Sequence, residues 1–442
     1  MKWKKIKSQK TVLVIDEAQD MNADEYALIN TLIEHNEDMR VIAVGDDDQN
    51  IYTFRGADSA YLEDFIKKRE AKKYELIENY RSKKNLVDFA NHFVSGIGHR
   101  LKELPIQANK KPNGIIDLVL YQSKNLVTPI VKAITASATH GSVCVLTRFN
   151  EEASQITGLL LNQGLSAKLI QHQDGFNLYN LAEIRFFINA LKLEPDTFLI
   201  SEDTWKDAER SLIQTYKHSP KLELCQSIIR DFEAANPKKK YKSDLEIFIR
   251  ESKIEDFAHE AGGSILVSTI HKAKGKEFDH VYLLLDGMNI STDEDKRQLY
   301  VGITRAKERL SIHTNGSYFN DIRVANLNRT IDQTIYKQPD LLVMQTTLKS
   351  VILSYFSRTQ HIVKGLMSGM SLLITAEGCN DRNENAVLRF SQQCRNEIEQ
   401  FRQKGYQLKQ AKVNFIVYWK DDTTGTEYQT VLPELYFERN HR

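Results

Sequence analysis

The sequence lacks both long apolar runs and paired cysteines. Its apolar runs are short, as in Val12–Ile15, whereas a membrane-spanning helix needs about 20 such residues. The basic start, residues 1–10, leads into too short an apolar stretch for a signal peptide. Four cysteines are scattered without any C-x-x-C pair, which argues against a zinc site or a disulfide framework. We therefore expect a cytoplasmic protein with no membrane partner.

The sequence also lacks an excess of either charge. It has 60 basic and 59 acidic residues and a formal net charge of +1. Such a balance neither supports nor excludes a nucleic-acid partner, because local patches decide that interaction. With 442 residues, of which 41% are hydrophobic and 27% charged, the chain is long enough for several globular domains.

Short apolar runs alternate with helical stretches in two parts of the chain. The runs are Val12–Ile15, Val41–Val44, Val143–Leu146, Ile265–Ile270 and Val281–Leu285. Continuous apolar strands between helices are typical of a parallel sheet that is covered on both faces. The sequence therefore predicts an α/β fold.

Two regions depart from this alternation. Between Leu193 and Gly263 charged helical segments dominate, which predicts an all-helical insertion before Gly262-Gly263 returns the chain to a strand. Beyond Tyr318 the α/β pattern stops, and we expect an α+β tail. The predicted helices of the insertion are Trp205–Thr215, Leu222–Ala235 and Leu245–Phe257, and the tail should contain a helix near Ala386–Lys404 and a hairpin of Val413–Trp419 with Tyr428–Leu432.

Paired carboxylates follow the first predicted strand. Asp16 and Glu17 open the sequence D-E-A-Q-D at the carboxyl end of that strand, where open α/β folds bind their ligands. One carboxylate can hold Mg²⁺ on a nucleotide phosphate while the other activates a water molecule. The alternative is an acidic turn that caps the following helix.

A glutamine and two aromatic residues follow the next strand. Gln49 lies just past the strand end and could sense a phosphate. Tyr52 and Phe54 are two residues apart, so they share one face of an extended segment, and Arg55 follows them. Aromatic rings beside arginine suit stacking on single-stranded bases. The alternative is that one or both rings belong to the core.

Five sequence blocks together resemble the UvrD/Rep/PcrA family of superfamily 1 DNA helicases. The blocks lie in the family order, at 12–20, 45–57, 78–82, 268–278 and 298–310, and the strand at 143–148 matches as well. The resemblance implies two RecA-like domains of the P-loop NTPase type that clamp ATP with Mg²⁺ and move 3′ to 5′ along single-stranded DNA. It implies catalytic roles for Asp16 (also the metal ligand), Glu17, Gln49, Arg81 and Arg305, nucleotide binding by Tyr80, Gly275 and Glu277, and DNA binding by Tyr52, Phe54, Arg55 and His271.

Two of these roles have simpler alternatives. Arg81 could be a surface residue at a helix start, and Arg305 could pair with Glu308 one turn on. The resemblance divides the chain into a partial first RecA-like domain (1–78), a second RecA-like domain in two parts (79–193 and 263–318), the insertion (194–262) and an accessory tail (319–442).

The sequence departs from the family in one chemically important respect. No G-x-x-x-x-G-K-[S/T] loop occurs in it, and that loop supplies the backbone cradle and the lysine for the phosphates. We therefore expect the chain alone to be inactive, with a missing or separate segment supplying the loop, and we expect an open apolar sheet edge where its neighbours are missing. The alternative function is a non-catalytic DNA- or protein-binding module on a helicase scaffold. Lys276 stands where the family usually has an apolar residue, and the insertion is short.

Overall fold

The protein is described by a computed structural model that covers residues 11–36, 38–137, 141–170, 176–194, 196–257 and 264–440. Within these ranges the chain forms two compact units. Unit 1 comprises the chain up to Leu126 together with Cys144–Arg148 and Thr269–Tyr336. Unit 2 comprises Val127–Val143, Phe149–Ser268 and Lys337 onward.

The secondary structure alternates strands and helices as far as β13 and is mainly strands after it. The strands are β1 (Val12–Ile15), β2 (Arg40–Ala43), β3 (Glu78–Asn79), β4 (Gln107–Ala108), β5 (Ile115–Tyr121), β6 (Val143–Thr147), β7 (Ala167–Leu169), β8 (Leu199–Ile200), β9 (Lys240–Tyr241), β10 (Ile265–Thr269), β11 (Phe278–Leu285), β12 (Ala306–Thr314), β13 (Leu327–Asp332), β14 (Leu341–Gln345), β15 (Ser371–Ile374), β16 (Gly378–Asn380), β17 (Ala386–Arg389), β18 (Tyr406–Lys420) and β19 (Glu427–Arg439). The helices are α1 (Ala23–Glu34), α2 (Ala60–Arg69), α3 (Lys84–Val94), α4 (Val127–Ala136), α5 (Asn150–Asn162), α6 (Ala182–Ala190), α7 (Glu202–Tyr216), α8 (Leu222–Ala235), α9 (Lys242–Glu251), α10 (Asp293–Ile303), α11 (Phe356–Val363) and α12 (Gln392–Gln403). No described helix combines the length and apolarity that a membrane crossing requires.

Unit 1 is built on a parallel sheet, as the apolar runs predict. Its strands lie in the order β13-β5-β12-β11-β6, and the β13–β5, β5–β12 and β12–β11 pairs are parallel. Strand β11 is almost entirely buried, and so is the second half of β12. The α/β class predicted from the sequence is therefore confirmed.

A separate two-stranded parallel sheet, β1 with β2, carries the first carboxylate pair. Leu13 pairs with Val41, and a small core of Ile15, Ala18, Met21 and Phe65 lies beneath the sheet. Alternate residues on the other face are exposed, with Val14 60% exposed. Parallel strands are usually covered on both faces, so this apolar face is unusual. The open sheet edge expected from the sequence is a different feature and stays a prediction.

Unit 2 joins helices and an antiparallel sheet around one core. The strand order is β14-β19-β18-β15-β16-β17, and the long hairpin β18–β19 turns at Asp421–Gly425, where Gly425 has a φ of 70°. One cluster of buried residues includes Trp205 and Phe232 from the helices together with Val417 and Phe437 from the hairpin. The helical region and the tail sheet therefore share their hydrophobic core.

The predicted helices and hairpin of unit 2 are found with shifted ends. Helix α8 matches its predicted range, and α7 begins three residues earlier and ends one residue later than predicted. The third segment divides into α9 and a 3₁₀ turn at Ile254–Phe257. The hairpin strands are longer than predicted. The predicted helix at 386–404 is wrong at its start: residues 386–389 form β17, and Ser391 caps α12 by accepting a hydrogen bond from the Cys394 amide at 3.2 Å.

The parallel sheet also extends beyond the predicted end of the α/β pattern. Strand β13 pairs with β5 after Tyr318, so the pattern does not stop there. The strand is exposed along most of its length and polar in sequence, and it therefore gives no apolar run. The five-part division of the chain stays a prediction, and its boundary at 262–263 lies outside the described residues.

Candidate functional site

The carboxylates predicted to act on the nucleotide lie in a tight turn after β1. Asp16 and Glu17 are both exposed, and the Glu17 amide donates to Asp16 Oδ1 at 2.9 Å. Glu17 has a φ of 50°, a left-handed conformation that is uncommon for a residue with a side chain. Such strain persists only where surrounding contacts hold it and is concentrated at functional sites.

Gln19 supplies the contacts that hold this turn. It is fully buried, its Nε2 donates to Glu17 Oε2 at 2.5 Å, and its Oε1 accepts from the Asp46 amide at 2.9 Å. Gly45 allows this approach, because a Cβ there would lie 2.5 Å from Gln19 Oε1. The turns after β1 and β2 are therefore fastened to each other.

Gln49 connects the second turn to the last sequence block. Its Nε2 donates to Asp46 Oδ2 at 2.7 Å, and its Oε1 accepts from Arg305 Nη2 at 2.9 Å. Arg305 is only 2% exposed and also donates to the backbone oxygens of Val301 (2.9 Å) and Lys276 (3.3 Å). Its described bonds differ from the simpler alternative, in which it would pair with Glu308.

The second arginine of the candidate site lies close to the first. Arg81 Nε donates to Glu277 Oε1 at 2.5 Å, and its Nη1 donates to the Thr304 carbonyl at 3.1 Å. Burial and then the charge of Arg81 lower the pKa of Arg305 to about 10. Two neighbouring guanidinium groups repel each other, so the arrangement favours an anion beside them.

The nucleotide-binding candidates Tyr80, Gly275 and Glu277 are only partly grouped. Tyr80 is 65% exposed, and its hydroxyl donates to Glu78. Gly275 has a φ of 80°, at which a residue with a side chain would be strained, and it lies between Lys274 and Glu277 in the same sequence block. Glu277 joins the site through Arg81, whereas Tyr80 has its ring free for a planar ligand.

The residues predicted to bind DNA form one aromatic cluster. The Phe54 ring lies 5.7 Å from the His271 ring and 6.0 Å from the Tyr52 ring, and Arg55 Cζ lies 5.4 Å from the Tyr52 centroid. The Tyr52 hydroxyl donates to the His271 carbonyl at 3.3 Å. Tyr52 is half-buried, but Phe54 is 68% exposed, so the core alternative does not describe Phe54.

Lys274 lies within the candidate site, although the sequence interpretation did not single it out. It is 7% exposed, and its Nζ lies 2.6 Å from Asp20 Oδ2, 2.8 Å from the Gln49 carbonyl and 3.7 Å from Glu17 Oε2. The same ammonium lies 5.1 Å from the Tyr52 ring centroid. Lys274 therefore connects the carboxylate turn with the aromatic cluster. Its motif contains three closely spaced lysines, and nothing in the sequence singles this one out.

Gln298 is a second missed residue. Its Nε2 lies 3.1 Å from His271 Nδ1, so it orients the imidazole ring. Burial lowers the pKa of His271, which favours the neutral ring. The position of Gln298 at the start of the last block was visible in the sequence, but its partner was not.

Comparisons with known proteins give matches to helicase families. The UvrD-like helicase C-terminal domain family matches residues 74–197 and 199–317, and the UvrD/REP helicase N-terminal domain family matches residues 3–70. The ATP-dependent DNA helicase UvrD2 of Mycobacterium bovis is 24% identical over 332 residues, which cover 68% of this chain and 46% of that protein. The ATP-dependent DNA helicase UvrD1 of Mycobacterium leprae is 29% identical over 195 residues, covering 41% and 25% respectively.

Among solved structures, the C-terminal domain of a possible DNA helicase from Lactobacillus plantarum matches 57% of this chain and 98% of its own, at 12% identity and a TM-score of 0.29. The chain spans about half the length of the UvrD2 relative. The first of the two family matches covers more than half of the chain. On that ground, the chain belongs to the UvrD-like helicase family.

Proposed function

We propose that this chain provides the ATP-hydrolysing and DNA-gripping surfaces of a helicase that moves 3′ to 5′ on single-stranded DNA. The observation that carries the proposal is the contact between Gln49 and Arg305, at 2.9 Å. It joins the turn after β2, which leads into Tyr52 and Phe54, to the turn after α10. A phosphate at this contact would act on both the arginine and the DNA-facing segment. The direction of movement rests on the family resemblance.

The side chains present fit a nucleoside triphosphate with its metal ion. Arg81 and Arg305 are neighbours, and Arg81 contacts the Glu277 carboxylate. Asp16 is an exposed carboxylate suited to a divalent ion such as Mg²⁺, which would neutralise phosphate charge when bound. Glu17, held in its strained turn, would orient and deprotonate the attacking water. Fixed guanidinium groups contribute roughly 10³–10⁵ in rate to such reactions.

The aromatic cluster would hold the DNA. Phe54 offers an exposed face, and Arg55 and Lys274 add positive charge beside the rings. Stacking of this kind is tolerant of sequence, as movement along a strand requires. In this proposal Gln298 fixes the His271 ring. That ring lies between the aromatic rings and the nucleotide and responds to the binding of both DNA and nucleotide.

Hydrolysis also requires a phosphate-binding loop, and the printed sequence contains none. We propose that a segment outside these 442 residues, joined or separate, provides it. The isolated chain should then bind single-stranded DNA but hydrolyse ATP slowly or not at all. A non-catalytic binding module on the same scaffold is the competing function, and this missing loop is the observation that favours it.

One experiment separates the two functions. ATP hydrolysis is measured with and without single-stranded DNA, for the chain alone and for the chain joined at its start to the phosphate-loop segment of a UvrD-type helicase. We expect DNA-stimulated hydrolysis only with the loop, and we expect Glu17→Gln to abolish it. Glu34→Gln, an exposed residue at the end of α1, is the matched control. Hydrolysis that is indifferent to Glu17→Gln, or absent with the loop present, would favour the binding module.

A further inference from the structure

A short segment remote from every sequence block contacts the acidic turn that holds Gln49. This segment, Gly98–Lys102, is named the strap. Arg100 forms two hydrogen bonds to Asp48, at 2.9 and 2.8 Å, and Lys102 Nζ lies 2.6 Å from Asp46 and 3.1 Å from Asp48. The Leu101 amide donates to Asp47 at 2.7 Å. All three consecutive carboxylates of the turn are therefore bound by three consecutive strap residues.

The other side of the strap is bound to helix α10. The amides of Gly98 and His99 donate to Asp293 at 3.0 and 3.4 Å, and Arg297 donates to the His99 carbonyl at 2.7 Å. Lys102 Nζ also lies 5.7 Å from the ring centroid of Tyr300. The strap therefore connects the turn that carries Gln49 with the helix that leads into Arg305.

Because Asp48 is buried, loss of its bonds to the strap would destabilise the turn. Asp48 is fully buried, and burial alone would raise its pKa, but Arg100 and Lys102 hold the pKa below its ordinary value. A buried carboxylate without such partners is strongly destabilising. Asp46 also accepts the Gln49 side chain at 2.7 Å, so Lys102, Asp46, Gln49 and Arg305 form one continuous chain of polar contacts.

The three carboxylates lie close enough together to suggest a metal site, with oxygens within 4.8 Å of one another. Each of them, however, has a partner within the strap, and the charges of Arg100 and Lys102 occupy the positions where a cation would bind. The cluster is better explained as the acidic half of an ion-pair network.

We propose that Arg100 and Lys102 are positioning residues that hold Gln49 against Arg305 and so couple the phosphate-sensing turn to the arginine helix. The proposal rests on the proposed function for its consequence in ATP hydrolysis. Its geometric part does not depend on hydrolysis. Among the described contacts, neither residue touches a group assigned to nucleotide or DNA. Arg100 acts through Asp48, and Lys102 acts through Asp46 and Asp48.

Hydrogen–deuterium exchange of the full chain tests the geometric part. In Lys102→Met, we expect the peptides that cover 46–52 and 298–305 to exchange at least tenfold faster than in the wild type. Tenfold corresponds to about 1.4 kcal/mol of local opening. Exchange in the β18–β19 hairpin should not change. Lys102→Arg keeps the charge and should restore protection to within twofold. Lys67→Met, which removes a surface pair with Glu63 on α2, is the matched control.

Wild-type protection of 46–52 in Lys102→Met would overturn the proposal, as would equal loosening by Lys67→Met. If Lys102→Met does not fold, Arg100→Gln is measured in the same way and judged by the same outcomes.

A second readout concerns function. In the loop-joined chain, we expect Lys102→Met to lower the DNA-stimulated kcat about tenfold with little change in KM, and to add nothing to Gln49→Ala. Additive losses would contradict action through Gln49. An absence of hydrolysis in the wild type would count against the proposed function alone, because the exchange result stands without it.

Discussion

At the scale of single residues, the candidate site depends on a few side chains whose partners lie far away in sequence. Gln49 and Arg305 are 256 positions apart and touch at 2.9 Å. The catalytic and DNA-facing candidates could be predicted from the sequence because they stand in compact blocks with fixed spacing. The contacts of Lys274 and of the strap could not be predicted, since the sequence around a lysine or arginine does not indicate which residue it contacts.

The exposed ring of Phe54 gives a residue-scale prediction. We expect Phe54→Ala to weaken binding of single-stranded DNA by about 1–3 kcal/mol, because a stacked base is lost. Fluorescence anisotropy at one fixed salt concentration measures the effect, since the electrostatic part of binding depends on salt. Tyr74→Ala, which removes a ring that is 74% exposed, is the control. Unchanged affinity in folded Phe54→Ala would mean that this ring does not bind DNA.

At the scale of secondary structure elements, strands with a continuous apolar run were predictable and strands with many polar residues were not. Strands β6 and β11 contain buried apolar runs, which parallel packing requires. Strand β13 lies at the sheet edge and is mostly exposed, so its composition is free to be polar. Strand β17 is only four residues long and is followed closely by a helix, so its sequence is too short to show a strand pattern of its own. A continuous apolar run is therefore what made a strand predictable, whether or not both of its faces are buried.

Two buried histidines in the parallel sheet make the elements of unit 1 sensitive to acid. His313 of β12 lies 2.8 Å from the Tyr121 hydroxyl of β5, and His280 of β11 lies 3.1 Å from Ser311. Burial lowers the pKa of His280 to about 4 and that of His313 to about 3. The unfolded chain takes up these protons near pH 6.5. The stability that the neutral rings provide is thus complete above pH 6.5 and falls toward pH 4.

We expect the unfolding midpoint to fall between pH 7.5 and 5 by more in the wild type than in His313→Asn, which keeps a polar partner for Tyr121 but cannot titrate. Each histidine contributes up to about 1.4 kcal/mol per pH unit below 6.5. Chemical denaturation at several pH values provides the comparison, with the exposed His361→Asn as control. Equal pH dependence of His313→Asn and wild type would show that His313 is not held neutral.

At the scale of the whole molecule, the helical region and the tail of unit 2 share their hydrophobic core. Trp205 is fully buried beside Phe187 and Phe232, in the same cluster as hairpin residues. Sequence patterns had suggested an insertion and a separate accessory tail, because each has its own composition. Which segments share a core depends on contacts between distant parts of the chain, and composition does not record them.

Because the core is shared, we expect a core substitution in the helical region to destabilise the tail as well. We expect Trp205→Ala to cost about 3–5 kcal/mol and to speed hydrogen exchange in the β18–β19 hairpin as well as in α7 and α8. Trp419→Ala, which removes a half-buried ring from the hairpin, serves as the comparison. Exchange that rises in α7 and α8 alone would mean that the tail is stable by itself.

The most direct test of the central claim is the rate of DNA-stimulated ATP hydrolysis in Arg305→Lys, measured in the loop-joined chain. Lysine keeps the charge but loses the planar group that contacts Gln49 and Val301 together. We expect a fall of roughly 10³-fold or more, whereas Arg309→Lys, which alters the pair with Asp117, should leave the rate nearly unchanged. A rate in Arg305→Lys within a few-fold of wild type would mean that Arg305 does not act on the transferred phosphate.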